Sequence, residues 1–410
     1  MMDQVSIIYL LIQIPIFRYQ SYKLILMSEI KFSLTEELGS KNELYEALRK
    51  FLSPEKSLKL PKNETSFKLL TNMYTEVEAF VIVRGFKKTM SPVLGWNIRR
   101  KTKLPKDDLN KILEEMIYTG KLIKKGPFYL IFPYIPGGFE FYFTTNRDDP
   151  ERMKKAAEAH DALFYEGYPL GLGKMNPPVY RVIPSIEPTK KTYEINKSLD
   201  VQHQILTYEL MENYLAEKDI FAVVPCSCRT AASKAGNPCK KTQENYCITA
   251  GILAENSIKS GVGKKVSLEE LVEVMKKAEK EGLVHQTFNV QEASLFICNC
   301  CPCCCGFLKS VKELDNYAAI TKSNFEPLID HDICNECQTC IEICPMEAIS
   351  MTDSKESAEN GAVVINYDLC IGCGICASNC PIEAIKLIKV KNEIPVKNLK
   401  QYYKVLEKTD

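Results

Sequence analysis

The sequence predicts an α+β chain of several domains, and three observations carry that prediction. Its 410 residues, 45% of them hydrophobic, can bury more than one core. The first half is rich in apolar residues at helical spacing, and all 18 cysteines follow residue 225. The last eight cysteines repeat one spacing twice, which indicates an internal duplication. We therefore expect a helical N-terminal domain, an α/β central domain rich in cysteine and a small C-terminal domain.

The predicted boundaries follow changes in composition along the chain. Residues 5–17 form an apolar run that is too short to span a bilayer and lacks the basic start of a signal peptide. We interpret it as sequence upstream of a true start at Met27, with an interfacial anchor as the alternative because Arg18 and Lys23 follow the run. No stable membrane span is expected. The predicted parts are 1–26 (leader), 27–66 (helical segment), 67–137 (first domain), 138–322 (central domain), 323–388 (C-terminal domain) and 389–410 (tail).

Charge and cysteine usage restrict the cellular setting. Lys and Arg number 53 against 52 for Asp and Glu, so no global field draws the chain to nucleic acid or to an anionic membrane. The cysteines of this long chain are grouped at the spacing of metal ligands, unlike those of small disulfide-bonded domains. We therefore expect metal binding in a reducing cytoplasm.

Three helices and a hairpin are predicted in the first domain. Apolar periodicity indicates helices over residues 67–84, about 96–101 and 105–120, followed by a two-stranded hairpin over 122–132. This order of elements resembles the winged-helix family over about residues 67–136. The resemblance implies that the third helix contacts DNA.

The charge of this region leaves its role open. Residues 99–125 carry nine basic and four acidic side chains, and this net charge of +5 favours contact with phosphate. All four acidic residues lie in the third predicted helix, where they oppose a phosphate backbone: Asp107, Asp108, Glu114 and Glu115. DNA binding is therefore one hypothesis, and a scaffold or protein-docking role is the preferred one.

The central domain is predicted to combine helices and strands around its cysteines. Ser267 and Glu270 form a capping box, which starts a helix that Gly282 ends. Residues 221–225 are an apolar run of strand length that leads directly into Cys226. The other expected elements are helices over 146–163 and 198–215 and an irregular connection, rich in Pro and Gly, over 168–188.

Ten cysteines of the central domain are expected to converge on a third metal centre. They fall in two runs along the chain: Cys226, Cys228, Cys239 and Cys247, then Cys298, Cys300, Cys301, Cys303, Cys304 and Cys305. The first run is the simplest ligand set, and a mixed set is equally allowed that includes Cys298, Cys300, Cys301 and Cys304. An iron-sulfur cluster, a structural zinc ion and a redox-active dithiol are the alternatives for this centre. His285 is expected to be a core residue, not a ligand.

The C-terminal domain carries the doubled motif, C-x2-C-x2-C-x3-C-P. It begins at Cys334 and again at Cys370, 36 residues later. Three thiolates on a tight loop can bind one iron-sulfur cubane, while the fourth, one helical turn on, points to the other cubane. The spacing therefore assigns one [4Fe-4S] cluster to Cys334, Cys337, Cys340 and Cys380, and the other to Cys370, Cys373, Cys376 and Cys344. The domain resembles the bacterial-type two-cluster ferredoxin family.

A wider resemblance rests on three further motifs. They are Pro225-Cys-x-Cys-Arg229, Gly282-Leu-Val-His-Gln286 and Ile297-Cys-Asn-Cys-Cys301. Together with the winged-helix-like first domain and the ferredoxin-like C-terminal domain, they resemble uncharacterised 4Fe-4S binding proteins of anaerobic bacteria and archaea over about residues 67–387. Cys303 departs from the pattern of that family, so the resemblance implies no obligatory ligand role for it. An anaerobic setting is implied, and no substrate.

These features predict an iron-sulfur electron-transfer protein. A separate redox partner protein is expected, since no glycine motif for a nucleotide cofactor follows a strand. Whether the central centre makes the chain a component of an oxidoreductase is left open. The alternatives are a redox-sensing transcription regulator that uses the winged helix, and a maturation scaffold that stores or transfers a cluster or metal.

Overall fold

The computed structural model describes residues 40–198, 209–210, 215, 218–241, 246–292, 295–352 and 363–406. The predicted leader, residues 1–26, lies outside the described residues, as does most of the helix predicted over 198–215. The chain divides into two compact units. The first comprises Met1–Gly138 and Arg147–Ala159, and the second comprises Phe139–Asn146 and His160–Asp410.

The first unit consists of helices and a small three-stranded sheet. In chain order its elements are α1 (Lys41–Leu52), α2 (Glu64–Met73), α3 (Glu76–Gly85), β1 (Val93–Leu94), α4 (Gly95–Thr102), α5 (Lys106–Tyr118), β2 (Ile123–Lys125) and β3 (Phe128–Leu130). The antiparallel strands have the order β1-β3-β2. Leu69, Phe80 and Met116 are among the buried side chains of its core. The helices predicted near residues 96–101 and 105–120 and the hairpin after them are confirmed.

The helix predicted over residues 67–84 is two helices in the structure. α2 ends at Met73, and Thr75 starts α3 with a capping box: its Oγ1 accepts from the Glu78 N–H at 3.2 Å, and the Glu78 carboxylate accepts from the Thr75 N–H at 2.7 Å. The prediction of one continuous helix is wrong because apolar periodicity runs on across this break.

The second unit is built on a seven-stranded sheet. Before the C-terminal domain its elements are α6 (Phe139–Thr145), the end of α7 (Pro150–Tyr165), β4 (Tyr180–Ile183), α8 (Ile186–Ser198), β5 (Phe221–Val224), α9 (Ser227–Lys234), β6 (Cys247–Ala250), α10 (Ile252–Lys259), β7 (Lys264–Val266), α11 (Leu268–Lys280), β8 (Val284–Phe288), β9 (Phe296–Cys300), α12 (Gly306–Leu314) and β10 (Ile320–Thr321). The strand order is β10-β4-β8-β9-β6-β5-β7. Neighbouring strands pair antiparallel, except β10 with β4.

The predicted strand over residues 221–225 and the helix that follows Ser267 are confirmed as β5 and α11. All four residues of β5 are buried. Apolar side chains from both elements form one core with their neighbours, among them Phe221, Val223, Ile248, Leu271, Met275 and Ile297. This core holds the strands whose ends carry the central cysteines.

Residues 168–188 are not the irregular connection that their Pro and Gly content predicts. Tyr168–Lys174 form a 3-10 helix, β4 is buried along its length, and α8 begins at Ile186. Every residue of β4 pairs with β8. The run Tyr-Arg-Val-Ile is short and contains a charged residue, so only its pairing with β8 distinguishes it from a loop.

The C-terminal domain repeats one small unit. Its elements are β11 (Phe325–Ile329), α13 (Thr339–Ile343), β12 (Ile349–Met351), β13 (Val363–Ile365), α14 (Ile375–Ser378) and β14 (Ile385–Lys389), and α15 (Leu399–Leu406) follows. β11 pairs with β14, and β12 pairs with β13. Each half therefore contains a strand, a cysteine loop, a short helix and a strand, and each strand pairs with one from the other half.

Candidate metal centres

The C-terminal domain contains two small cavities, each lined by four cysteines. The first cysteine cavity is lined by Cys334, Cys337, Cys340 and Cys380, and the second by Cys344, Cys370, Cys373 and Cys376. Each set takes three cysteines from one motif and the fourth from the other. The structure thus brings together the same two sets that the spacing assigns. Apolar side chains such as Ile329 and Ile349 complete the walls.

Left-handed backbone shapes both cysteine loops. Glu336 and Gln338 have φ angles of 57° and 63°, and the equivalent residues Gly372 and Gly374 have angles of 70° and 75°. In each loop the second cysteine lies between two such residues, so the chain curls and its thiols face one point. Gly372 is required for a further reason, because a Cβ there would lie 2.2 Å from the carbonyl oxygen of Phe325.

Backbone amides donate to the fourth sulfur of each motif. Cys344 Sγ accepts from the Ala348 N–H at 3.3 Å, and Cys380 Sγ accepts from the Ala384 N–H at 3.2 Å. The same bond recurs in both halves of the domain. Amide donors of this kind stabilise anionic sulfur and tune the reduction potential of an iron-sulfur cluster.

Burial disfavours the thiolate form of two cysteines that line the second cysteine cavity. It raises the pKa of the Cys373 and Cys376 thiols well above their ordinary value. Since only thiolates bind metal, metal binding at this cavity must release protons. Occupancy of the cavity is therefore expected to decrease as the pH falls.

Four central cysteines come closer together than the lining cysteines of these cavities. The Sγ atoms of Cys239, Cys301, Cys303 and Cys304 all lie within 4.8 Å of one another, a condition that no other set in the described part of the chain meets. Cys239 Sγ lies 3.6 Å from Cys301 Sγ and 3.3 Å from Cys303 Sγ. Zinc-sulfur bonds of about 2.3 Å place the corners of a tetrahedron about 3.8 Å apart. This four-cysteine group therefore fits one tetrahedral ion.

The four-cysteine group lies just beyond β9, on a small apolar core that includes Tyr246 and Leu283. Cys303 is exposed, so solvent reaches one side of the group. Hydrogen bonds from its three partners keep the pKa of Cys301 far below its ordinary value, and the charge of Arg229 adds to that effect. A thiolate is therefore available for metal binding at neutral pH.

The other six central cysteines form a closed ring of side-chain interactions, which we call the six-cysteine ring. Each thiol interacts electrostatically with the next, in the order Cys226, Cys228, Cys305, Cys300, Cys298, Cys247 and back to Cys226. Three members are buried and three are half-buried. The predicted single centre is thus two separate groups.

This division changes the candidate ligand sets. Cys239 does not meet Cys226, Cys228 and Cys247, so the simplest predicted set is not brought together. The mixed set is divided too, because Cys298 and Cys300 belong to the ring. The two residues without a predicted ligand role, Cys303 and Cys305, each complete one of the groups. Spacing could not reveal this, because strand pairing between distant segments decides which thiols meet.

A buried hydrogen-bond chain connects the C-terminal domain to β9. Ser378 Oγ donates to Glu279 Oε2 at 2.8 Å, and Glu279 Oε1 lies 3.0 Å from His285 Nε2. His285 Nδ1 lies 2.6 Å from Asn299 Oδ1, and Asn299 sits between two ring cysteines on β9. His285 is 1% exposed and has a partner at both nitrogens, so it has the core position that the sequence predicts.

The charge of Glu279 is stabilised within this chain. Burial alone would raise the pKa of its carboxyl group, but hydrogen bonds from His285, the Ile186 N–H and Ser378 outweigh burial and lower it. Glu279 is therefore an anion at neutral pH although its side chain is buried.

One comparison with known proteins identifies the class of the C-terminal domain. The family model for the 4Fe-4S dicluster domain matches residues 333–384. The chain therefore carries a 4Fe-4S dicluster domain near its C-terminus, which supports iron-sulfur binding by this domain. No curated protein and no solved structure matches the chain. Among the described residues, no helix has the length and apolar character to cross a membrane.

Proposed function

We propose that the protein transfers electrons through two [4Fe-4S] clusters held in the dicluster domain. The observation that carries this proposal is the pair of cavities, each lined by four cysteines drawn from both motifs. One cluster would be held by Cys334, Cys337, Cys340 and Cys380, and the other by Cys344, Cys370, Cys373 and Cys376. Each cluster supplies one-electron chemistry, and two clusters in one small domain form a relay.

The edge of the first cysteine cavity suits contact with a redox partner. Cys337 is exposed there, and two large apolar side chains, Ile333 and Ile382, are 48% and 38% exposed. Ile382 also lines the cavity. Electron-transfer encounters use small and transient interfaces. We infer that a separate reductase or acceptor protein docks at this edge, in the anaerobic cytoplasm that the sequence predicts.

The four-cysteine group is proposed to hold one metal ion, with zinc as the first candidate. Four thiolates at tetrahedral distances suit zinc or a single iron. The ion would join the loop after β9 to Cys239, which lies 62 residues earlier in the chain. Its role is structural in this proposal, and electron transfer stays with the dicluster domain.

Iron analysis of anaerobically purified protein tests the dicluster proposal. Two cubanes contribute about eight irons and about eight sulfides per chain. In a Cys337→Ala variant we expect the first cluster to be lost or reduced to three irons, because one ligand is missing. The electron paramagnetic resonance signal of the second cluster should persist in the reduced protein.

Cys303→Ala is the matched control, because it removes an exposed cysteine outside the dicluster domain. It should leave the signals of both dicluster clusters unchanged and weaken the retention of zinc. Wild-type protein with only about four irons per chain would contradict the proposal. Transfer of iron from the holoprotein to an apo-ferredoxin would instead favour the scaffold hypothesis.

Redox-dependent DNA binding is a second candidate function, and the first unit contains the observation that favours it. The order of its helices and strands supports the winged-helix interpretation. Four basic residues of α4 and the hairpin are exposed: Arg99, Arg100, Lys124 and Lys125. However, α5 exposes Asp107 and Glu114, which oppose a phosphate backbone. Electron transfer therefore remains the leading proposal.

A mobility-shift titration with a promoter-length duplex tests the second candidate. Binding through Lys and Arg releases counterions, so affinity should fall steeply as salt is raised. A regulator should also bind differently in its oxidised and reduced forms. An Arg99→Ala/Arg100→Ala variant should bind more weakly at every salt concentration. If neither form of the wild-type holoprotein shifts the duplex, this candidate is removed.

A further inference from the structure

The six-cysteine ring has the geometry of a cluster site. Four thiolates around one ion must all lie near one another, as they do in the four-cysteine group. Within the described part of the chain, no three thiols of the ring meet that condition, and neither do three cysteines of the dicluster domain. Each ring thiol instead interacts with two ring neighbours. In this respect the ring is like the dicluster cysteines and unlike the four-cysteine group.

The sheet places four members of the ring. Cys298 and Cys300 are two residues apart on β9, so both side chains project from the same face of the sheet. Pairing of β5 with β6 sets Val224 opposite Cys247. Cys226 follows β5 by two residues and therefore arrives beside Cys247. The ring thus depends on strands that pair with one another and share one core.

Two helix N-termini point at the ring. Cys226 and Cys305 are the N-cap residues of α9 and α12. The Arg229 N–H interacts with Cys226 Sγ, and the Phe307 and Leu308 N–H groups interact with Cys305 Sγ. Helix N-termini carry partial positive charge and stabilise anions. Two of them at one site suit a ligand with more negative charge than a single thiolate has.

Buried polar groups around the ring also indicate an anionic ligand. Arg229 is 0% exposed, and its charge acts on both Cys226 and Cys247. Gln286 is 1% exposed and directs its amide nitrogen toward Cys305 Sγ at 3.9 Å. The Gln286 amide nitrogen and the charge of Arg229 therefore both favour anionic sulfur at the ring.

We propose that the six-cysteine ring binds an iron-sulfur cluster of at least four irons. This centre is separate from the four-cysteine group and from both clusters of the dicluster domain. Six thiols exceed the four that one tetrahedral ion can bind. The two helix N-termini and Arg229 supply the positive charge that a buried, anionic cluster needs. The proposal goes beyond electron transfer in the dicluster domain and does not depend on it.

Metal and sulfide analysis of two matched double variants tests the proposal. Cys298→Ser/Cys300→Ser removes two ring thiols, and Cys301→Ser/Cys303→Ser removes two thiols of the four-cysteine group. Wild-type protein purified without oxygen should contain about twelve irons or more, since the dicluster domain accounts for about eight. The ring variant should lose about four irons and about four sulfides and keep its zinc. The other variant should lose zinc and keep its iron.

The wild-type iron content tests the proposal even if the ring variant does not fold. A content of about eight irons per chain, with the electron paramagnetic resonance signals of both dicluster clusters present, would overturn the proposal, as would copper or zinc in place of the additional iron. A ring variant with a wild-type circular dichroism spectrum and unchanged iron would overturn it as well. The two proposals can fail separately. If the dicluster proposal failed, Cys337→Ala would remove less iron, whereas the ring variant would still lose about four irons.

Discussion

Gly372 lies where the second cysteine loop passes close to β11. Its φ is +70°, and an added Cβ would lie 2.2 Å from the Phe325 carbonyl oxygen and 2.3 Å from Ser323 Oγ. We expect Gly372→Ala to lower the free energy of unfolding by about 2–4 kcal/mol, because backbone strain and steric overlap combine. Urea unfolding of the protein under anaerobic conditions measures this change.

Gly236→Ala is the control for backbone strain alone. Gly236 has a φ of +89°, but an added Cβ would meet nothing within 4 Å. Its replacement should lower the free energy of unfolding by only about 1 kcal/mol. Equal shifts for the two variants would mean that the close approach to Phe325 contributes nothing.

At the scale of helices and strands, capping residues and apolar runs predict single elements, because these signals depend only on residues that are close in the sequence. The capping box of Ser267 and Glu270 fixes the start of α11, and the apolar run of β5 fixes a buried strand. The same kind of capping box at Thr75 and Glu78 marks the break between α2 and α3. Apolar periodicity without attention to caps misses that break. β4 is missed for another reason, since only its pairing with β8 distinguishes it from a loop.

The cysteine sites of the dicluster domain and those of the central domain differ in how far the sequence predicts them. The sets in the dicluster domain are predictable because each motif places three cysteines on one tight loop and its fourth cysteine one helical turn on, where it points to the other cluster. The central groups are not predictable from spacing. Cys239 joins cysteines that lie more than 60 residues later, and Cys226 meets Cys247 because β5 pairs with β6. Long-range strand register, which the sequence does not display, decides these groups.

At the scale of the second unit, Glu279 connects the dicluster domain to the central sheet. Its carboxylate accepts from Ser378 Oγ at 2.8 Å and from the Ile186 N–H at 2.8 Å, and its backbone carbonyl accepts from Asn379 Nδ2 at 3.0 Å. The remaining partner, His285, leads to β9 and the ring. One side chain of α11 therefore holds α14, which carries Cys376, against the sheet that carries the ring cysteines.

We expect Glu279→Gln to lower the free energy of unfolding by about 2–4 kcal/mol at neutral pH, because a buried partner of His285 loses its charge. Folding lowers the pKa of Glu279, so its contribution is fully present above the ordinary value of 4.5. That contribution is lost as the pH falls through the lower pKa of the folded state. The difference between wild type and variant should therefore shrink below pH 4.5, as measured by urea unfolding across pH.

Glu273→Gln is the matched control on α11. The Glu273 side chain is 67% exposed and pairs with Lys276 at the surface, so its replacement should change stability by less than about 0.5 kcal/mol at any pH.

Because Glu279 holds two cysteine-bearing elements together, its variant should also release iron from the dicluster domain and from the cluster proposed for the ring at similar rates on warming. Normal retention in both sites, with unchanged stability, would show that the hydrogen-bond chain does not couple them.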